Sequence, residues 1–459
     1  MTFREYLDNL SGKRVTVVGA GVSNTPLIEA LLAAGVDTTV CDRRTRSELV
    51  EAADGFARSG AKLRLGERYL DDLQADVIFR TPGMMPSNPA LTEAAERGAV
   101  LTSEMEAFFE VCPCKIIGVT GSDGKTTTTS IIAELLKNEG GNVHVGGNIG
   151  TPLLTGADGM GPDDVAVLEL SSFQLITMSK SPDIAVVTNL SPNHLDIHRD
   201  MAEYTEAKRN IYRNQKSTDR AVFNFDNEPT RAFAASAPGE VLFFSRHERV
   251  RDGVYLDGGM IYQEAGGSAE AIVSADSILL PGMHNVENFL AAFAAVRGLA
   301  GRDAMIETVR TFNGVPHRIE LVRTHRGVSY YNDSIASSPS RTIAGLRAFD
   351  KKVILIAGGK DKGIGFEELG AEIVSRVKTL VLTGLTAERI SAAVTDSPGY
   401  SGSPPIFIRG DFTQAVLAAS EAAGEGDVVL LSPACTSFDR FRNFEERGDV
   451  FKEIVAGLV

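Results

Sequence analysis

Gly124-Lys125-Thr126-Thr127 carries the most readable chemistry in this chain. It follows the apolar run Ile116-Ile117-Gly118-Val119-Thr120 and a short loop, Gly121-Ser122-Asp123, and it opens a helical pattern. Glycines at 121 and 124 let the backbone curl until successive N–H groups face phosphate oxygens. The helix N-terminus adds a partial positive charge, Lys125 a full one, and the Thr126 hydroxyl a ligand for magnesium between the terminal phosphates. The spacing departs from GxxxxGK[ST], because Val119 stands where the outer glycine belongs; the pattern present is TGxxGKT, with Gly121 as the inner glycine. A glycine-rich turn without a ligand is the alternative. Gly-Lys-Thr-Thr directly behind an apolar strand favours an ATP site made by Gly121, Ser122, Asp123, Gly124, Lys125, Thr126 and Thr127.

Other residues of chemical interest stand at the ends of short apolar runs. Residues 165–168 end in Glu169, and a carboxylate at the tip of a buried strand beside a phosphate loop is a natural magnesium ligand. Residues 184–187 lead to a loop holding His194, which can reach the same place. Lys208, within the helical stretch 201–215, reads from periodicity as a solvated lysine. Near the N-terminus, residues 14–18 end in Gly19-Ala20-Gly21-Val22-Ser23-Asn24, and a second strand ends in Asp42-Arg43-Arg44. That is a βαβ unit with a partial dinucleotide fingerprint, Asn24 replacing the third glycine and Asp42 in the ribose-binding position. Arg43, Arg44 and Arg46 suit a nucleotide diphosphate better than a redox cofactor, with a solvated basic loop as the alternative. The loop Thr81-Pro82-Gly83 closes another strand, where open α/β sheets hold ligands.

The remaining elements keep the same alternation. Strands at 76–79 and 100–101 complete a first domain, and Cys112-Pro113-Cys114 leads into the phosphate-binding domain. Residues 221–224, 241–244 and 253–262 read as antiparallel strands. Asn285 reads as the N-cap of an Ala-rich helix, with Asn288 one turn on, where it could face a base. Strands at 353–356, 380–383, 406–408 and 428–431 alternate with helices, and Ala357-Gly358-Gly359-Lys360-Asp361-Lys362-Gly363 is a second candidate anion loop. The fold expected is α/β, with three doubly wound domains. These are a dinucleotide-fold-like one over 1–111, a central P-loop ATPase over 112–314 with a mostly parallel sheet and a small antiparallel part, and a Rossmann-like one over 315–459. With 46 basic and 60 acidic residues the formal net charge is −14, which argues against a nucleic-acid surface. Four cysteines without zinc spacing read as free thiols. No signal core or long apolar run is present, so a cytoplasmic protein without membrane insertion is expected.

TGSDGKTT, GGNIG, LELSSFQL, NLSPNHLD, YTEAKRNIY, HNVEN, PHRIE, NDS and LLSPACTSFDRFRNFEERG, in that order, resemble the Mur ligase family across nearly the whole chain. The resemblance is closest to the branch that adds D-glutamate to UDP-N-acetylmuramoyl-L-alanine. It implies that ATP phosphorylates the alanine carboxylate and that the amine of glutamate attacks the resulting acyl phosphate. Lys125 and Thr126 then match the phosphate-loop lysine and the magnesium-binding hydroxyl, and Glu169 and His194 the magnesium ligands. Lys208 matches a carbamylated lysine that holds a second magnesium ion. Asn288, Arg318 and Asp333 match residues that hold ATP; Val22, Ser23, Asp42, Arg43, Arg44 and Gly83 the uridine diphosphate region; Asn148 and Ser171 the sugar-peptide; and Lys362, Ser437 and Phe444 the glutamate. Phe444 reads equally as a core aromatic of the last helix. A monomer is expected. The family pattern NDSKATN lacks its lysine here, since Ile335-Ala336-Ser337 comes after Ser334, so a cation is absent there or supplied by Lys360 or Arg341. A diamino-acid ligase would show a DNPR-like signature, and none is present; a folate-type ligase would not need the first domain. A regulatory nucleotide binder would lose Lys125, Glu169, His194 or Lys208, and an oxidoreductase leaves the phosphate loop unexplained.

Overall fold

The computed structural model describes residues 1–192, 197–361 and 363–458. The chain forms two compact units, Met1–Ala275 with Glu287–Thr308, and Asp276–Val286 with Val309–Val459.

The first unit holds two sheets. One comprises β1 (Arg14–Val18), β2 (Asp37–Asp42), β3 (Lys62–Leu65), β4 (Val77–Phe79) and β5 (Val100–Thr102), all parallel in the order β3-β2-β1-β4-β5. The other comprises β6 (Lys115–Thr120), β7 (Val143–Gly147), β8 (Val165–Glu169), β9 (Ile184–Val187), β10 (Arg220–Asn224), β11 (Glu240–Ser245), β12 (Gly253–Asp257), β13 (Met260–Ala265) and β14 (Ser268–Ser274). Its order is β14-β13-β12-β11-β10-β9-β6-β8-β7. Strand β6 lies between β8 and β9, so the direction of winding reverses there and leaves a crevice at the carboxyl ends of these three strands. Ile117, Val119, Val167, Leu168 and Val186 are fully buried, as continuous apolar runs in a parallel sheet covered on both faces require.

Two expectations need correction. Strands β10 and β11 are parallel to β9, not antiparallel, because the helix Glu228–Phe233 carries the chain back between them. Within this nine-stranded sheet antiparallel pairing is confined to β12, β13 and β14, and residues 253–262 are two strands joined by a turn at Gly258-Gly259. Asn285 is not an N-cap: the helix Met283–Ala295 begins before it, and its Nδ2 donates to Pro281 O at 2.7 Å. Strand β3 (KLRL) lacks an apolar run, so nothing in the sequence marks it as a fifth strand.

In the second unit β15 (Glu320–His325), β16 (Val328–Asn332), β17 (Val353–Ala357), β18 (Val377–Leu382), β19 (Ile406–Ile408) and β20 (Val428–Leu431) run in the order β15-β16-β20-β17-β18-β19. Only β15 is antiparallel to its neighbour.

Arg80 ties the two sheets of the first unit together. It stands just beyond β4 and is 1% exposed, donating Nη2 to Phe173 O at 2.9 Å and to Thr177 Oγ1 at 2.7 Å, and Nη1 to Met84 O at 3.2 Å. Thr177 in turn donates to Glu106 Oε2, which also accepts from Ser103. Replacing Arg80 by Met would strand buried acceptors, each worth about 1–3 kcal/mol. The expected outcome is an earlier urea transition for this unit with little change in slope; an unchanged midpoint would show that the tie is dispensable.

Candidate active site

The loop after β6 is held by the segment 188–191 at the end of β9. Ser122 N donates to Asn189 O at 3.0 Å, Ser122 Oγ to Ser191 O at 2.9 Å, and Asp123 N to Asn189 Oδ1 at 2.9 Å. Thr188 Oγ1 donates to Asp123 O at 2.6 Å. Gly121 has φ +151, and a Cβ there would overlap Thr188 Oγ1, so only glycine allows this approach. Gly124, left-handed at φ +79, starts the helix Lys125–Asn138 and lies against Asn288, whose Oδ1 accepts from Thr128 Oγ1 at 3.3 Å.

Two lysines converge on one carbonyl oxygen. Lys125 Nζ donates to Gly121 O and Ser122 O, both at 3.0 Å. Lys208 Nζ donates to the same Gly121 O at 2.8 Å and to Thr120 Oγ1 at 3.2 Å, and lies 4.7 Å from the centre of the Tyr204 ring. Lys208 is 1% exposed. Burial, reinforced by the charge of Lys125 and opposed by Glu169 and Asp123, holds its pKa well below the ordinary lysine value. The solvated reading of Lys208 is thus wrong. On the helix Met201–Arg213 the buried residues are Tyr204, Ala207, Lys208, Ile211 and Tyr212, so Lys208 lies within the apolar stripe.

On the other side of β6, Thr126 Oγ1 donates to Glu169 Oε2 at 2.5 Å. Asn148 donates Nδ2 to Glu169 Oε1 at 2.8 Å and its backbone N–H to Glu169 O at 2.8 Å. Ser171 caps the short helix Ser172–Leu175 through Gln174. His194 lies outside the described residues. His198, which no sequence pattern singles out, is buried between Ser172 Oγ at 2.8 Å and Glu203 Oε2 at 3.3 Å, and stacks on Phe173. It pins the segment after Glu169 to the start of the helix that carries Lys208.

In the first sheet, Asn24 substitutes for a glycine by donating Nδ2 to Val18 O at 3.1 Å and Gly19 O at 2.9 Å. Ser23 is the N-cap residue of the helix Asn24–Ala33, and Val22 is 79% exposed. Asp42 accepts from Ala20 N–H, from Arg44 N–H and from the Arg44 guanidinium. Burial works against its charge, but these hydrogen bonds outweigh it and hold the carboxyl at about 2. Asp42 and Arg44 therefore engage one another, whereas exposed Arg43 lines a cleft of about 550 Å³ with Tyr69, Thr81, Gly83, Met84 and Asn88.

In the second unit, Asp333 is buried and accepts from Ser432 Oγ at 2.7 Å; burial pushes its carboxyl up to about 7, against the charges of Arg318 and Arg341. Arg341 Nη1 donates to Ile335 O at 3.2 Å. Ser437 is buried, and half-buried Phe444 meets the His317 ring edge-on. Lys362 lies outside the described residues; Lys360 pairs with Thr436 through the backbone.

Residues 13–103 match the MurD-like N-terminal domain of Mur ligases, residues 119–296 the Mur ligase middle domain, and residues 317–435 the Mur ligase glutamate ligase domain. The chain is 50% identical to the UDP-N-acetylmuramoylalanine–D-glutamate ligase of Clostridium novyi over 459 residues, covering 100% of this chain and 99% of that one. It is 50% identical over 458 residues to the ligase of the same name from Acetivibrio thermocellus, covering 99% of this chain and 98% of that one. The chain belongs to the Mur ligase family. Its fold is similar to the crystal structure of the UDP-N-acetylmuramate–alanine ligase MurC from Thermotoga maritima, with TM-score 0.56 at 17% identity, covering 97% of this chain and 99% of that one. Against MurF from Acinetobacter baumannii the TM-score is 0.57 at 15% identity, covering 77% of this chain and 82% of that one.

In this Mur ligase the structure gathers Gly121, Ser122, Asp123, Gly124, Lys125, Thr126, Asn148, Glu169, Lys208 and Asn288 around the end of β6, with Thr127 in the first turn of the helix. Arg318, Asp333, Ser437 and Phe444 belong to the second unit. Gly121→Ala is expected to weaken binding of a non-hydrolysable ATP analogue at least tenfold, about 1.4 kcal/mol, by calorimetry. Gly159→Ala, whose Cβ meets nothing within 4 Å, should bind normally. Equal affinity of the two variants would refute the tight-loop account.

Proposed function

We propose that this Mur ligase joins the amine of D-glutamate to the alanine carboxyl of UDP-N-acetylmuramoyl-L-alanine at the expense of ATP, as a monomer in the cytoplasm. The observation that carries this reading is the constellation at the end of β6: Thr126 on Glu169, Asn148 on the other Glu169 oxygen, and two lysines on Gly121 O. Full-length relatives at 50% identity bear the name of that activity, and all these residues come from one chain.

A carboxylate and an amine do not condense in water, because the carboxylate oxygen is a poor leaving group. Transfer of the terminal phosphoryl group of ATP to that oxygen releases ADP and leaves an acyl phosphate. The amine attacks its carbonyl carbon, and phosphate departs as the amide forms. Negative charge develops at each step, and preorganised cations and donors lower its cost. Lys125 and the N-terminus of its helix face the transferring phosphoryl group, swinging the amine from the loop carbonyls that hold it here.

The donors fit magnesium, since Thr126 and Glu169 present hard oxygens already in contact. Bound there, magnesium would neutralise charge on the phosphates. Thr126, Glu169 and His194 would hold one ion. Lys208, whose charged form burial disfavours, would add carbon dioxide and, as the resulting anion, would hold a second. Arg43 and the cleft beside it would take the uridine diphosphate, with Val22, Ser23 and Gly83 around it, and Asp42 holding Arg44 in place. Asn148 and Ser171 would face the sugar-peptide. Asn288, Arg318 and Asp333 are assigned to ATP, and Lys362, Ser437 and Phe444 to glutamate. Arg341, on the carbonyl of Ile335, would supply the cation that the family pattern places there.

Phosphate release should require ATP, magnesium, UDP-N-acetylmuramoyl-L-alanine and D-glutamate, with L-glutamate, meso-diaminopimelate, L-lysine and no amino acid all inactive. Preference for another amino acid would overturn the substrate assignment while leaving the reaction class. Lys125→Ala should lower kcat by about a thousandfold. Lys208→Ala should be inactive and partly restored by short carboxylic acids; restoration by amines instead would mean that Lys208 acts as a cation.

A further inference from the structure

Cys112 is the C-cap of the helix Glu104–Val111, Pro113 comes next, and Cys114 leads into β6. Their sulfurs lie 3.5 Å apart, at contact distance. Cys112 is half-buried, while Cys114 is buried and lies near His144, which is paired with Asp164 at 2.8 Å. Pro113 fixes one backbone torsion between the two thiols and has no N–H to donate. Neither thiol touches the nucleotide loop or the metal-binding residues proposed above. All four cysteines are free.

We propose that Cys112 and Cys114 form a redox-active dithiol that small disulfides such as glutathione disulfide close to an intramolecular disulfide and that thiol reductants reopen. One thiolate of the pair attacks a sulfur of the small disulfide, giving a mixed disulfide and releasing one thiolate. The second protein thiol loses its proton to solvent, attacks the protein-side sulfur and expels the other small thiolate. Two protein thiols are thereby oxidised to one S–S bond, and one small disulfide is reduced to two thiols.

The sulfurs need to close only from 3.5 Å to about 2.05 Å. The hydrogen bond from Cys112 lowers the Cys114 thiol against the opposing effect of burial, with the charge of His144 in support, and so favours its thiolate. The ring closed by two cysteines flanking a single proline is small, and the strain in it favours ready reduction. Cys41 and Cys435 behave differently: burial pushes their thiols up to about 12 and about 11.

The test uses the reduced full-length protein, exposed to glutathione disulfide, denatured under acid, alkylated and digested with trypsin. Residues 98–115 fall in one tryptic peptide that contains both thiols. The expected result is that this peptide becomes two hydrogens lighter and takes no alkyl group, that Cys41 and Cys435 remain alkylatable, and that dithiothreitol restores four alkylated thiols. Cys112→Ser should then leave Cys114 either alkylated or carrying a glutathione adduct, with no lighter peptide. A wild-type peptide 98–115 that stays doubly alkylated, or that keeps glutathione as a stable adduct, would overturn the proposal.

Discussion

The carbonyl oxygen of Gly121 accepts from both Lys125 and Lys208, and the local arrangement depends on that double contact. Two ammonium groups cannot share one carbonyl in a buried setting without a large electrostatic cost. The cost is avoided if the more buried amine gives up its proton, and Lys208, packed between Thr120, Gly121 and the Tyr204 ring, is the one placed to do so. An amine whose charged form is disfavoured by burial therefore sits directly on the loop at the end of β6. Its position requires the loop to pass so close to Thr188 that no side chain fits at 121.

Topology brings the remaining groups to the same point. Because β6 has β8 on one side and β9 on the other, the residue ending β8 and the segment after β9 flank the loop at the end of β6. Glu169 contributes its carboxylate from one side and residues 188–191 brace the loop from the other. Arg80 and His198 act a step further out, fixing the segment 172–177 against the first sheet and against the helix of Lys208. Their role is to keep short, polar connections from relaxing.

Much of this was legible in the sequence. Glycine spacing and the apolar run before it located the tight loop at the end of β6, and Glu169 stood out because a carboxylate ended a wholly apolar strand. Periodicity alone makes Lys208 a solvated lysine, because residue type outweighs position there, and only the family resemblance marks it; Tyr204, Ile211 and Tyr212 at helical spacing around it carry the evidence that it is buried. The parallel direction of β10 and β11 was hidden because the intervening helix Glu228–Phe233 is short and looks like a turn. Asp42 accepts hydrogen bonds from Arg44 and from the backbone of Ala20, a pairing that strand sequence does not encode. Arg80 and His198 draw their importance from contacts far along the chain, with no local pattern to announce them.

The proposed chemistry requires the alanine carboxylate to be phosphorylated before the amine attacks it. The most direct measurement starts from UDP-N-acetylmuramoyl-L-alanine carrying oxygen-18 in its alanine carboxylate. After turnover with ATP and D-glutamate, the inorganic phosphate is analysed by mass spectrometry. Each amide formed should transfer one labelled oxygen to phosphate. Unlabelled phosphate, with amide formed in equal amount, would mean that the carboxylate oxygen never bonded to phosphorus and would contradict the account.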